Sequence, residues 1–103
     1  MFIHKYVSNF YFTQIMFNYD IQFLNSLNEE KFLKIYNLFK EYNFYFIEDI
    51  ILNYLEIFLF EYDEVLKGIN LLKEKLGDNF VNIIGNDMVH LDLLFEINED
   101  NED

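Results

Sequence analysis

A chain of 103 residues with a formal net charge of −12, 52% hydrophobic and 20% aromatic, carries enough apolar surface for one folded domain. That is far too apolar for a disordered acidic chain. There is no Cys, Pro, Arg, Ala or Trp, which excludes a disulfide framework, thiolate chemistry and the usual bidentate reader of phosphate and guanine.

Residues with A/T-rich codons dominate (Phe, Tyr, Ile, Asn, Lys), as expected of an A/T-rich genome such as that of a low-GC bacterium or its phage. Such a bias enriches Phe, Tyr and Asn without selection for them. No run of about 18 apolar residues occurs, so no transmembrane helix is expected. The first residues lack the shape of a secretory signal, and the expected location is cytoplasmic.

Taken in chain order, residues 2–27 place Ile3, Phe10, Phe17 and Leu24 seven apart, with Val7, Gln14 and Ile21 midway, which predicts a helical seam. The aromatic and β-branched run within 9–17 supports the alternative, an α+β fold with a strand or hairpin in residues 2–25. Asn18, Tyr19 and Asp20 mark a turn.

Asn28 before Glu29 and Glu30 reads as an N-cap, and Phe32, Ile35, Tyr36 and Phe39 continue a helix to about Tyr42. After a break near Asn43, residues 46–61 predict a helix with a broad apolar face of Ile47, Ile50, Ile51, Tyr54, Leu55 and Phe58. Residues 63–76 form the clearest helix, with Asp63 at its start, Lys73 and Lys75 at its end, and Gly77 as the left-handed stop. A last helical stretch presents Phe80, Ile83, Ile84, Met88, Leu91 and Phe95, interrupted at Gly85. The expectation is an all-α bundle of four to five helices: one domain over 1–95 and an acidic, disordered tail over 96–103.

The charge is uneven. Lys5, Lys31, Lys34 and Lys40 against Asp20, Glu29 and Glu30 leave the first forty residues at +1, so the acidity lies beyond them. Residues 41–64 hold seven acids and no lysine. That field repels nucleic acid, arguing against direct DNA or RNA binding, and attracts a basic protein surface.

Within this stretch Asp49, Asn53 and Glu56 share a ridge at helical spacing, with Glu48 beside them and Glu61, Asp63 and Glu64 just beyond. The bland reading is the solvated side of an amphipathic helix; the functional one is a stripe that docks on a partner's lysines and arginines. Tyr42, Phe44, Tyr45 and Phe46 cannot all be buried on one side of a helix. They form either a loop over the core or an exposed aromatic anchor, with Tyr42 and Tyr45 as candidates for contact.

Other chemistry lacks parts. Asp87 and His90 form half of a di-metal helix motif, but His4 has no acidic neighbour, so no metal or cofactor is expected. Ser8 and Ser26 lack the setting of a nucleophile, and the glycines make no phosphate cradle, so an enzyme is not expected. The expected function is that of a small acidic inhibitor or immunity-type protein occupying a basic, nucleic-acid-binding surface of a partner through Glu48, Asp49, Glu56, Glu61, Asp63, Glu64, Tyr42 and Tyr45. Bacteriocin immunity, anti-restriction and anti-CRISPR proteins are the physical precedent, and none of their diagnostic motifs is present. The alternative is a self-associating structural or adaptor module, a homodimer built on apolar faces, with no inhibitory role.

Overall fold

The computed structural model describes the backbone of residues 1–100 and the side chains of residues 1–97. Among these residues there are seven α-helices, three 3-10 turns and no strand. The helices are α1 (Asn9–Asn18), α2 (Ile21–Ser26), α3 (Glu29–Glu41), α4 (Ile47–Asn53), α5 (Tyr62–Leu76), α6 (Phe80–Asn86) and α7 (Asp92–Asp100). The 3-10 turns are Ile3–Lys5, Leu55–Leu59 and Met88–Leu91.

The two longest helices, α3 and α5, form the middle of the fold because their apolar residues recur at helical spacing and their ends are marked. Asn28 Oδ1 accepts the Lys31 amide at 2.9 Å and caps α3. Gly77, at φ 85°, ends α5, a backbone state that glycine adopts without the steric cost a side chain would bring. Helix α3 packs on α4, α5 and the Leu55–Leu59 turn, while α5 also carries α6 and α7. Helix α1 lies against α4.

The core is aromatic at its centre. Phe32 stacks on Phe58 with ring centroids 4.6 Å apart, and Phe39 bridges Phe58 and Phe44 at 5.8 and 5.0 Å. Ile35, Ile50, Ile51, Leu55, Val65 and Ile69 are fully buried around these rings. At the contact of α5 with α7, a Cβ added at Gly68 would occupy the space of Leu94. The missing side chain is what leaves room for the Leu94 side chain against α5.

The all-α class is as expected, and the count of seven exceeds the expected four to five because residues 2–27 and the last stretch each supply two α-helices, while residues 46–61 give a helix and a 3-10 turn. The seven-residue seam of residues 2–27 is one correction: Ile3 and Leu24 are buried, but Phe10 and Phe17 are exposed and Ile15 is the buried residue of α1. A heptad seam needs one continuous helix. Here Ile3 sits on a 3-10 turn, and Tyr19 and Asp20 adopt extended backbone between α1 and α2, so the phase is reset twice. Neither segment is a strand.

The second break falls at Tyr54, which leaves the helical region (φ −139°, ψ 43°) and hands the chain to a 3-10 turn in which Leu55, Ile57 and Phe58 are all buried. The interruption expected at Gly85 falls one residue on, after Asn86, where Asp87 Oδ1 accepts the Val89 amide at 3.3 Å and starts the Met88–Leu91 turn. Helix α7 continues past residue 95 through Asp100, with Ile97 buried. Residues 101–103 lie outside the described residues.

Candidate functional site

The acids of residues 41–64 separate into two groups with different surroundings. Glu48 and Asp49 stand in the first turn of α4, where carboxylates suit the positive end of the helix dipole. Both are half-buried and both reach α1. Glu48 Oε2 accepts the Ser8 amide at 2.7 Å, and Asp49 Oδ1 accepts the Tyr11 hydroxyl at 2.8 Å. Nearby, the Tyr19 hydroxyl donates to the Leu52 carbonyl at 3.0 Å.

The hydrogen bond to Asp49, then burial, then the nearby negative charge hold the Tyr11 hydroxyl above the ordinary tyrosine pKa. These contacts fasten α1 to α4. As candidate partner contacts, Glu48 and Asp49 are therefore already engaged within the fold.

The expected ridge of Asp49, Asn53 and Glu56 does not form. Asn53 Nδ2 turns back to the Asp49 carbonyl at 3.0 Å, and the helix ends before Glu56. Glu56 instead projects from the Leu55–Leu59 turn and is exposed.

The second group gathers at the entry to α5. Glu61 precedes the helix and pairs with Lys31 Nζ at 3.1 Å; Asp63 is exposed in the first turn. Glu64 is half-buried, and its Oε2 is buried with no hydrogen-bond partner among the described residues. The one other ion pair among the described residues, Lys5 with Glu29 at 3.2 Å, belongs to the positive first forty residues. Glu29 also accepts the Tyr6 hydroxyl at 2.9 Å; that bond first, then the one from Lys5, lowers its pKa below the ordinary glutamate value.

The aromatic run is resolved by Asn43, whose left-handed backbone (φ 65°) turns the chain after α3. Phe44 and Phe46 then enter the core, while Tyr45 is 68% exposed with its ring edge-on to Phe46. Tyr42 is half-buried, and its hydroxyl donates to Asn70 Oδ1 at 3.0 Å. Tyr42 and Tyr45 line one surface cleft of about 770 Å³ together with Glu41, Lys73, Asp78 and Phe80.

The acids that accompany the tyrosines are thus Glu41 and Asp78, neither of which the sequence pattern singled out. They come from the end of α3 and the turn before α6, 37 residues apart, a separation closed by the packing of α3 on α5 and of Tyr42 on Phe80.

No group of three or more His, Asp or Glu among the described residues is placed to hold a metal ion, and no helix there is long and apolar enough to cross a membrane. The chain matches no protein-family model, no curated protein and no solved structure.

Proposed function

We propose that this chain is a small acidic inhibitor or immunity-type protein that occupies a basic, nucleic-acid-binding surface of a partner protein. The observation that supports the reading is the pair Glu56 and Asp63: both are exposed, neither makes an ion pair among the described residues, and Glu61 between them meets only Lys31. Unpaired exposed charge does little for stability, but it sets the field that an approaching partner feels. Tyr45, with Glu41 and Asp78 beside it, supplies an exposed ring of the kind that anchors interfaces.

The contact set is therefore narrower than the sequence pattern indicated. Glu56, Glu61, Asp63 and Tyr45 carry it; Glu48, Asp49 and Tyr42 support the fold, and Glu64 lies half-buried behind. Capture on the immobilised full chain from a low-GC bacterial lysate, with and without excess duplex DNA, tests the reading. The expected result is a basic nucleic-acid-binding protein that DNA competes away and that Glu56→Lys/Asp63→Lys fails to hold. A chain that retains DNA itself, or a captured protein indifferent to both DNA and the double substitution, contradicts it.

A further inference from the structure

Helix α1 is apolar on both sides. Ile15 faces the core, and the turn of about 100° per residue puts Phe10, Thr13 and Phe17 on the opposite side. There Phe10 is 68% and Phe17 82% exposed, and Ile21, just past the Tyr19–Asp20 break, is 52% exposed. Large rings exposed one helical repeat apart form an apolar patch of the kind that marks an interaction site. α1 packs against α4 and the Ile3–Lys5 turn, and Phe10 and Phe17 stay exposed beside both.

Between Lys5 and Asp20 the chain carries no formal charge, although the whole has −12. We propose that α1 is the interface of a homodimer, with two copies packed antiparallel about a two-fold axis near Thr13 and Gln14. Phe10 and Phe17, seven residues and about 10 Å apart along the helix, are then mutually complementary: Phe10 of each copy meets Phe17 of the other.

Charge selects a second copy over other occupants. Two copies meeting through most other faces would bring acid against acid, whereas the exposed side of α1 carries no charge of its own. A basic protein is drawn to those acids and gains nothing from a neutral face. An anionic membrane is repelled by the net charge, and α1 has no lysine or arginine to anchor it there.

The area is adequate. With rings of about 150–250 Å² each, the exposed parts of Phe10 and Phe17 present roughly 300 Å². Ile21, Met16, the axial Thr13 and Gln14 and the flanking Asn9 bring this to at most about 600 Å² per copy, at the lower end of stable interfaces of about 1,200 Å² in total.

Sedimentation equilibrium of the full chain tests the interface, with circular dichroism confirming that each variant is helical. The wild type is expected to be a dimer whose affinity rises severalfold between about 50 and 500 mM NaCl, as repulsion between the acidic copies is screened. Phe10→Glu/Phe17→Glu is expected to weaken it about a hundredfold, and Glu56→Lys/Asp63→Lys to leave it a dimer. Because the chain has no cysteine, Thr13→Cys gives a second readout that leaves both phenylalanines in place: mild oxidation should yield a covalent dimer, and Glu56→Cys should not. A monomer at all salts, a dimer that survives the double Phe substitution, absence of Thr13→Cys cross-linking, or a monomer that instead binds phosphatidylcholine vesicles overturns the proposal. The dimer stands or falls independently of the acidic-surface reading, since the two tests alter different residues and have opposite salt dependence.

Discussion

A hydroxyl bonded to a carboxylate loses its partner's help when it ionises, and Tyr11 is held this way by Asp49. Folding raises the Tyr11 pKa above its ordinary value of 10.0, so the bond contributes fully below about pH 10 and is lost as the pH rises through the folded value. Tyr11→Phe is expected to cost about 0.5–1.5 kcal/mol at neutral pH. In thermal melts followed by circular dichroism, the gap from wild type should close in the alkaline range above pH 10. A gap that is constant with pH would remove Asp49 from the role assigned to it.

Glu29 has the opposite sign. Its pKa is lowered from 4.5 by Tyr6 and Lys5, so its contribution is present above that value and fades as the pH falls below it. Neither pairing was visible in the sequence, because Tyr11 and Asp49 are 38 residues apart and Tyr6 and Glu29 are 23 apart. A carboxylate's spacing along a helix says which face it shares, not which neighbour lies across from it.

Among the elements, α5 and α7 depend on Gly68, where no side chain fits against Leu94. Gly68→Ala sets two effects against each other. Alanine favours the helix by about 0.8–1.0 kcal/mol, whereas displacing Leu94 costs about 1–3 kcal/mol. The net expectation is destabilisation, with Leu94→Ala in the same chain restoring part of it; urea denaturation of the two single variants and the double variant measures the coupling. A stabilised Gly68→Ala would show that the Leu94 side chain yields to the added methyl at little cost.

Elements with marked ends were legible from the sequence: Asn28 with its acids and Gly77 after its lysines bound α3 and α5 closely. Elements whose ends lack such signals were not. Residues 46–61 read as one helix because apolar residues continue through Tyr54, and nothing in composition marks the change to a 3-10 turn there. Residues 2–27 read as one seam because Phe10 and Phe17 fit a heptad. In a chain this rich in phenylalanine, such a fit does not tell a buried position from an exposed one.

For the molecule as a whole, charge and shape divide into regions. The first forty residues are near neutral and include the uncharged α1, while the acids lie beyond them. The sequence located this asymmetry but not its use: two of the six candidate acids fasten α1 to α4, one pairs with Lys31, one is half-buried, and two are left exposed and unpaired among the described residues. The proposed function rests on those last two, Glu56 and Asp63, acting on a partner at a distance before contact is made.

Long-range attraction speeds encounter more than it slows departure, and added salt screens it. The most direct measurement is therefore the association rate constant with the captured, DNA-competed partner as a function of ionic strength, for wild type and Glu56→Lys/Asp63→Lys. The wild-type rate should fall steeply with salt. The variant should associate about tenfold more slowly at low salt, converge on the wild type at high salt, and dissociate at nearly the same rate. Equal association rates with equal salt slopes would contradict the acidic-surface account.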